Sequence, residues 1–415
     1  MAFENDHDAT LSAGTADGTD ADGAARRVVR RADAEAMDAT DPLAQVRDEF
    51  VIADPHLVYL DGNSLGRTPK RTVARLAEVV HHEWASQLIL SWGAGPTSWV
   101  TLPLRVGDRL APLIGAGPGE VAVHDSTTVN LYQLVHAAVT LRPDRRVIVV
   151  DEGEFPTDRY VVDGIAAVTG HEVRLGVDGT GGLDDVAVVV RSVIDYRSAL
   201  RADVAADTAR VHAHGALVIW DLSHAAGAVE IDLHAAGVQL AVGCTYKFLN
   251  GGPGAPAFTY VATDLQGHLP QPIWGWFAQR DQFTMGPDFA PQPDIRRVLL
   301  GTPSILSLAA AEEGIALSAE VGMAAIAAKG RALTTLALDL CDQFGLRTST
   351  PRDPARRGAH VAVHHPRAAE LVQALASRGV ITDLRMPDIV RVGCSPLTTR
   401  FVDVWDGLHA LATLS

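Results

Sequence analysis

The sequence predicts an α/β protein: a large domain on a mostly parallel central sheet, followed by a small α+β domain. Three observations predict it. Short apolar, branched runs of strand length recur at 121–124, 145–150, 172–177, 186–191, 216–220, 238–243 and 256–262. Helical patterns at 129–141 and 198–213 alternate with them, as a parallel sheet covered on both faces requires. After Pro303 the texture changes to a long Ala-rich helical stretch and then to short strands and helices.

Residues 1 to about 40 are rich in Asp, Ala, Gly and Thr and read as a disordered acidic tail. A short helix within 34–37 or 43–50 is compatible with the pattern. Thr68 and Pro69 can open a helix. Val73, Leu76, Val80, Trp84 and Leu88 then fall on one helical face. His81 and His82 lie on that helix with no carboxylate or Cys spaced to join them, so they read as solvated or core-edge residues. A Gly/Pro/Trp loop spans 91–100, and 105–114 reads as a helix.

Asp125, Ser126, Thr127 and Thr128 follow the strand at 121–124 and open a helix. Hydroxyls and backbone N–H groups at a helix start suit a phosphate; an ordinary helix cap is the other reading. The Ala-rich stretch at 303–342 should break or bend near Gly322 and Gly330. Beyond it come a strand at 359–364, a helix at 367–378, strands near 380–385 and 389–393, and a closing helix at 399–414.

The chemistry concentrates in 216–261. The run 216–220 ends on Asp221, and the run 238–243 is followed by Thr245, Tyr246 and Lys247, with a Gly/Pro-rich turn at 250–256. In open α/β sheets, ligands bind beyond such strand ends. The chain has three lysines, Lys70, Lys247 and Lys329, against 32 arginines. A desolvated lysine can form an imine, which the permanently protonated guanidinium cannot. Asp221 would then suit the pyridinium nitrogen of pyridoxal phosphate. The alternative is a partly buried cation and a strand-end cap.

Composition bounds the rest. A chain of 415 residues has room for two or three domains, and 47% hydrophobic residues supply a large core. No apolar run reaches 18 residues, and the start lacks a secretory pattern, so no membrane association is expected. Cys244, Cys341 and Cys394 have no disulfide or zinc spacing, which suits a reducing cytoplasm. A net charge of -15 argues against a nucleic-acid partner.

At this point the motifs resemble one family. GNSLG (62–66), TVNL (128–131), FPTD (155–158), DLSHAAGAVEIDLH (221–234), YKFLNGGPG (246–254), GWF (275–277), GTPSIL (301–306) and IVRVGCSPL (389–397) are similar to kynureninase, in order, over most of the chain outside the tail. The resemblance implies the aspartate-aminotransferase-like fold of pyridoxal-phosphate enzymes. It divides the chain into the tail (1–40), a segment packing with the small domain (41–70), the large cofactor domain (71–305) and the small domain (306–415). It implies a homodimer with shared sites.

Residue by residue, the resemblance makes Lys247 the imine lysine, with Asp221 on the ring nitrogen and His224 beside it. Phe155 would stack on the ring, with Asp158 near. Thr127, Thr128 and Tyr246 would hold the phosphate, Tyr246 also serving as an acid, and Ser192 would touch the cofactor. Trp276 and Thr302 would reach the phosphate of the neighbouring subunit. Arg391 would clamp the substrate carboxylate with a bidentate fork, and Asn63 would line the substrate side.

Members that favour 3-hydroxykynurenine carry His and Asn where this chain aligns Trp92 and Thr302, which puts L-kynurenine first. The implied reaction is hydrolysis of kynurenine to anthranilate and L-alanine, as in tryptophan catabolism. Two rivals share the cofactor. A cysteine desulfurase or selenocysteine lyase needs a mobile nucleophilic Cys, and a non-catalytic pyridoxal-phosphate protein would lack Lys247, Asp221 or Arg391.

Overall fold

The apolar runs assemble into one sheet in the computed structural model, which describes residues 28–93, 95, 97–176 and 182–415. In chain order the strands are β1 (Val58–Tyr59), β2 (Val121–His124), β3 (Val147–Val150), β4 (Glu172–Leu175), β5 (Val186–Ser192), β6 (Leu217–Asp221), β7 (Leu240–Gly243), β8 (Ala257–Val261), β9 (Arg347–Thr348), β10 (His360–His364), β11 (Val380–Ile381), β12 (Asp383–Arg385) and β13 (Ile389–Gly393). The α-helices are α1 (Arg31–Ala39), α2 (Lys70–Glu78), α3 (Leu102–Leu110), α4 (Thr127–Thr140), α5 (Pro156–Thr169), α6 (Val204–Ala213), α7 (Thr263–Gln266), α8 (Ile305–Val321), α9 (Met323–Gln343), α10 (Ala368–Ala376) and α11 (Phe401–Leu414).

The large sheet has the order β2-β8-β7-β6-β5-β3-β4, and β8 alone runs against its neighbours. Successive side chains of a strand point to opposite faces, and both faces are buried. Val147, Val149, Val218, Trp220 and Ala241 join a core with Leu110, Leu308 and Ile315 of α3 and α8. Ile148, Val150, Ile219, Leu240 and Val242 join another with Leu131, Leu134, Val162 and Ile165 of α4 and α5. Each such Val or Leu contributes about 1.5–3 kcal/mol when fully buried. A strand apolar on both faces has no wet side, so its carboxyl end is where polar residues resume.

The small sheet, β12-β13-β10-β9, is antiparallel and shares a core with α9, α10 and α11. Strand β1 pairs in parallel with β11, Val58 against Val380, which ties the N-terminal segment to this side. The bend between α8 and α9 is 86°, at Gly322, whose φ of +86° suits only glycine. Gly330, the other expected break, lies inside α9 without interrupting it. Among the described residues no single helix is long and apolar enough to cross a membrane.

Three expectations change. The acidic tail ends earlier than residue 40. Residues 31–39 form α1, Ala34 is fully buried, and Asp38 accepts hydrogen bonds from the Phe401 and Val402 N–H groups at 2.6 and 3.0 Å. That carboxylate caps the start of α11, which gives an acidic segment a structural partner; residues 1–27 lie outside the described residues. The helix expected over 198–213 begins at 204, because Asp195 draws the Arg197 and Ser198 N–H groups into a turn and Ala199 takes φ +65°. The helix carrying Val73 to Leu88 widens into a π-helix at Val79–Gln87. Along the wider turn Val79 and Glu83 are buried while Val80, Trp84 and the following Leu88 are exposed; Val73, in the regular α2 before it, is exposed too. His81 and His82 are exposed as well.

Candidate active site

The carboxyl ends of the central strands meet at a cavity of about 210 Å³. Thr127, Thr128, Phe155, Asp158, Ser192, Asp221, His224, Tyr246 and Lys247, all singled out from the sequence, line it.

Asp221 ends β6 with 6% exposure, and its Oδ1 accepts the Ser223 N–H at 2.7 Å. Burial pushes its carboxyl up, while Lys247 opposes that. Burial pushes Asp158 well above the usual carboxylate range, and the Asp221 and Glu154 carboxylates add to the push. Two close carboxyls do not both ionise cheaply. Asp158 is therefore the protonated member, and Asp221, facing the lysine and capped by an N–H, carries the charge. One Asp158 oxygen, Oδ2, has no hydrogen-bond partner although it is buried.

Lys247 follows β7 on a turn fixed by its neighbours. The Thr245 hydroxyl donates to the Pro256 carbonyl at 2.7 Å, and the Gly66 N–H donates to the Tyr246 carbonyl at 2.9 Å. A Cβ on Gly66 would sit 2.4 Å from the Lys247 carbonyl oxygen, so the last glycine of GNSLG is needed for close approach to this turn. Lys247 Nζ lies 3.3 Å from His224 Nε2 and about equally far, 6.0 and 5.9 Å, from the Phe155 and Tyr246 ring centres. Burial and the Lys247 and Arg391 charges hold His224 well below its ordinary value, so its ring is neutral. Tyr246 is pushed up by the neighbouring Cys244, by burial and by Asp221, so its hydroxyl keeps its proton.

Thr127 and Thr128 form the first turn of α4, whose cap, Ser126, accepts the Val129 N–H at 3.4 Å. Phe155 precedes α5 and meets Tyr196 edge-on at 5.2 Å. This donor set fits pyridoxal phosphate: an amine for the aldehyde, a buried carboxylate for the ring nitrogen, an aromatic face, and a helix N-terminus with hydroxyls for the phosphate. The orphaned Asp158 oxygen at the same wall is what a bound group would satisfy.

The remaining sequence-predicted residues stand elsewhere. Arg391, on β13, is fully buried; it is ion-paired with Asp383 and donates to the Tyr196 carbonyl at 2.8 Å. Asn63 is also fully buried, and with its amide oxygen turned to Arg391 it accepts from Nη2 at 2.9 Å and Nε at 3.2 Å. Neither is among the residues lining the cavity. Trp92 packs edge-on against Trp99 at 5.5 Å and Phe277 at 6.3 Å, away from the cavity. Trp276 and Thr302 are exposed and do not line this chain's cavity.

Sequence reasoning missed Glu154, which accepts the Ser192 N–H at 2.7 Å and whose carboxyl is pushed up to about 7, chiefly by burial. It also missed Asp383, which faces Arg391 across β12 and β13. Neither sits in a pattern: one precedes a helix, and the other is visible only once two strands are paired. The three cysteines are unpaired and buried, with burial pushing each thiol up, Cys341 and Cys394 to about 12. A thiolate nucleophile needs the opposite environment.

A family model described as the kynureninase C-terminal domain matches residues 326–411. A kynureninase from Pseudomonas fluorescens is 44% identical over 399 residues, covering 92% of this chain and 95% of that protein. A kynureninase from Burkholderia pseudomallei (strain K96243) is 43% identical over 396 residues, 92% and 94% respectively. Among solved structures, the apo cysteine desulfurase of Thermococcus onnurineus NA1 aligns with a TM-score of 0.76 at 17% identity, covering 89% of this chain and 97% of that one. A C-DES mutant with glycine covalently linked to its PLP cofactor aligns at 0.73 and 15% identity, covering 88% and 98%. At those identities the two structures speak for the fold alone.

Proposed function

The chain belongs to the kynureninase family, and from that membership we propose that it hydrolyses L-kynurenine to anthranilate and L-alanine with pyridoxal phosphate as cofactor. The observation that carries the reading is that chemistry-bearing residues of four family motifs, Lys247, Asp221, Phe155 and Thr128, converge on one cavity.

Lys247 holds the cofactor through its aldehyde, Asp221 its ring nitrogen, Phe155 its face, and Thr127, Thr128 and Tyr246 its phosphate. Bound there, the cofactor supplies an electron sink for carbanions next to the substrate nitrogen. The Lys247 amine takes the proton from the substrate α carbon. Asp221, kept anionic by the Ser223 N–H and Lys247, holds a proton on the ring nitrogen. Asp158 stays protonated beside it and adds no second charge, and His224 stays neutral next to the amine. Tyr246, whose hydroxyl is pushed up, serves as a proton donor. Ser192 borders the cofactor, and Arg391 and Asn63 receive the substrate carboxylate; Trp92, packed on Trp99 and Phe277, stands away from this chain's cavity.

The same reading makes the protein a cytoplasmic homodimer in which Trp276 and Thr302 serve the partner's site. Exposed Trp274, Trp276, Phe283 and Met285 support it, being apolar surface that a second copy could cover. It further assigns the domains: 41–70 and 306–415 to the small unit and 71–305 to the large one.

The test is product analysis with L-kynurenine and 3-hydroxykynurenine side by side, with Lys247→Ala as the control. Wild-type protein should be yellow and release anthranilate and alanine. The variant should lack both the visible absorbance of a bound cofactor and the turnover. A cofactor-loaded wild type that leaves kynurenine intact overturns the reading.

A further inference from the structure

His360 opens β10 with no solvent exposure, and neither ring nitrogen has a partner at good hydrogen-bond geometry, although the Arg197 backbone is near enough to favour its protonated form. Among the described residues it is the one ionisable side chain with both polar atoms orphaned. Its ring centre lies 5.9 Å from that of His224, whose Nε2 is 3.3 Å from Lys247 Nζ.

The strand register says what else it faces. His360 pairs with Gly393, and Ala362 pairs with Arg391. Residues opposite one another, or two apart on a strand, share a face. His360 and Arg391 therefore project from the same side of the small sheet, one pair apart. The bare Gly393 between them leaves room that the Asn63 amide fills.

A guanidinium has five N–H donors. Arg391 uses Nε on the Asn63 oxygen, Nη2 on Asp383, Asn63 and, at 3.4 Å, Ser64 Oγ, and Nη1 on the Tyr196 carbonyl. One N–H on Nη1 is left. The expected two-pronged clamp on a carboxylate is not available from Arg391 alone.

We infer that His360 is a substrate-recognition residue, giving the second hydrogen bond to the α-carboxylate that Arg391 holds by charge and its remaining N–H. The inference rests on the kynureninase reading for the identity of the substrate, but its chemistry needs only an α-amino acid. Arg391 and Arg385 share this corner with Asp383 and with Asp61, whose carboxyl burial pushes up to about 6, so the corner holds one net positive charge for an incoming anion once Asp61 takes up a proton. The charged groups facing the ring are Arg391, Lys247 and Arg385, and with burial they keep it neutral, with one N–H to donate. Both side chains are fully buried, so substrate entry has to open this corner.

The experiment compares cofactor-loaded wild type, His360→Ala and His360→Gln, the last keeping an N–H donor. Losing one hydrogen bond to a charged group should raise the KM for L-kynurenine about tenfold or more in His360→Ala, with kcat changed less than about twofold. His360→Gln should recover most of it. The inhibition constant of the decarboxylated analogue, which keeps the amine and aryl ketone, should be the same in all three. An unchanged KM in His360→Ala, or equal damage to the analogue, overturns the inference. Equilibrium binding of L-alanine, read from the cofactor's absorbance, needs no turnover and should weaken about tenfold. This arm separates the two readings: a wild type inert toward kynurenine sinks the proposed function, and undiminished alanine binding in His360→Ala sinks the role of His360. If His360→Ala fails to fold, His360→Leu fills the space and carries the same comparisons.

Discussion

Replacing Glu154 with Gln should remove one source of pH dependence from the stability of the cofactor-free protein, so that the effect of the substitution changes sign with pH. The carboxyl is buried behind Ser192, and burial together with the Asp221 charge lifts it from 4.5 to about 7. Because the folded value is the higher one, this group's stabilisation is fully present below about 4.5 and is lost as the pH rises through about 7. At about 1.4 kcal/mol per tenfold, the loss approaches roughly 3 kcal/mol. Gln is uncharged at every pH, so it avoids that loss. It has a cost of its own, because Glu154 accepts the Ser192 N–H, the Ser192 hydroxyl and the Phe155 N–H. One amide oxygen can serve Ser192 N–H while the NH₂ group donates to the hydroxyl, which leaves the Phe155 N–H unanswered, at about 1 kcal/mol. Glu154→Gln should therefore be less stable than wild type by about 1 kcal/mol at pH 4.5 and more stable by about 2 kcal/mol at pH 8. Urea unfolding across that range, followed by tryptophan fluorescence, checks it. Two curves that stay parallel from pH 4.5 to 8 would refute the protonation argument.

Three other outcomes follow from named contacts. Asp221→Asn should keep the cofactor but cut kynurenine turnover by on the order of 10²-fold or more, because a neutral amide holds the ring proton poorly; turnover within a few-fold of wild type would contradict the assignment. Lys329→Met should destabilise the protein by about 3–5 kcal/mol, since Asp41, 2.6 Å away and 4% exposed, is left buried and unpaired. The double replacement with Asp41→Leu should restore most of that in denaturant unfolding, and no restoration would mean the pair is not what matters. Gly107→Ala should lower the thermal midpoint by several degrees, because its Cβ would lie 2.0 Å from the Val121 carbonyl oxygen where α3 crosses β2; an unchanged melting curve would show that the crossing yields.

The large sheet was legible because both of its faces are buried. Runs such as 147–150 and 217–221 read as strands with no helical alternative of that length, and their ends located Asp221 and Lys247. Patterns that depend on period failed where the period itself changed. The stripe from Val73 to Leu88 assumes 3.6 residues per turn, and the π-helix at Val79–Gln87 breaks that assumption. Acidity pointed to disorder as far as residue 40, yet the short helix also read around 34–37 forms as α1, because an Asp-rich segment becomes ordered when one carboxylate caps another helix. Glu154, Asp383 and His360 were out of reach for one reason. Each acquires its role only through tertiary or strand pairing: Glu154 from Ser192 and His360 from His224, both far off in sequence, and Asp383 from Arg391 across two neighbouring strands.

The scarcity of lysine has a practical consequence. Pyridoxal phosphate condenses with accessible amines on most proteins, which blurs any titration of specific sites. Here Lys329 is locked to Asp41 with 6% of its side chain exposed, and Lys70 is the one lysine side chain left in open solvent. Borohydride trapping near one equivalent should consequently tag the Lys247 peptide first, with the Lys70 peptide as the one lysine background to subtract when catalytic centres are counted.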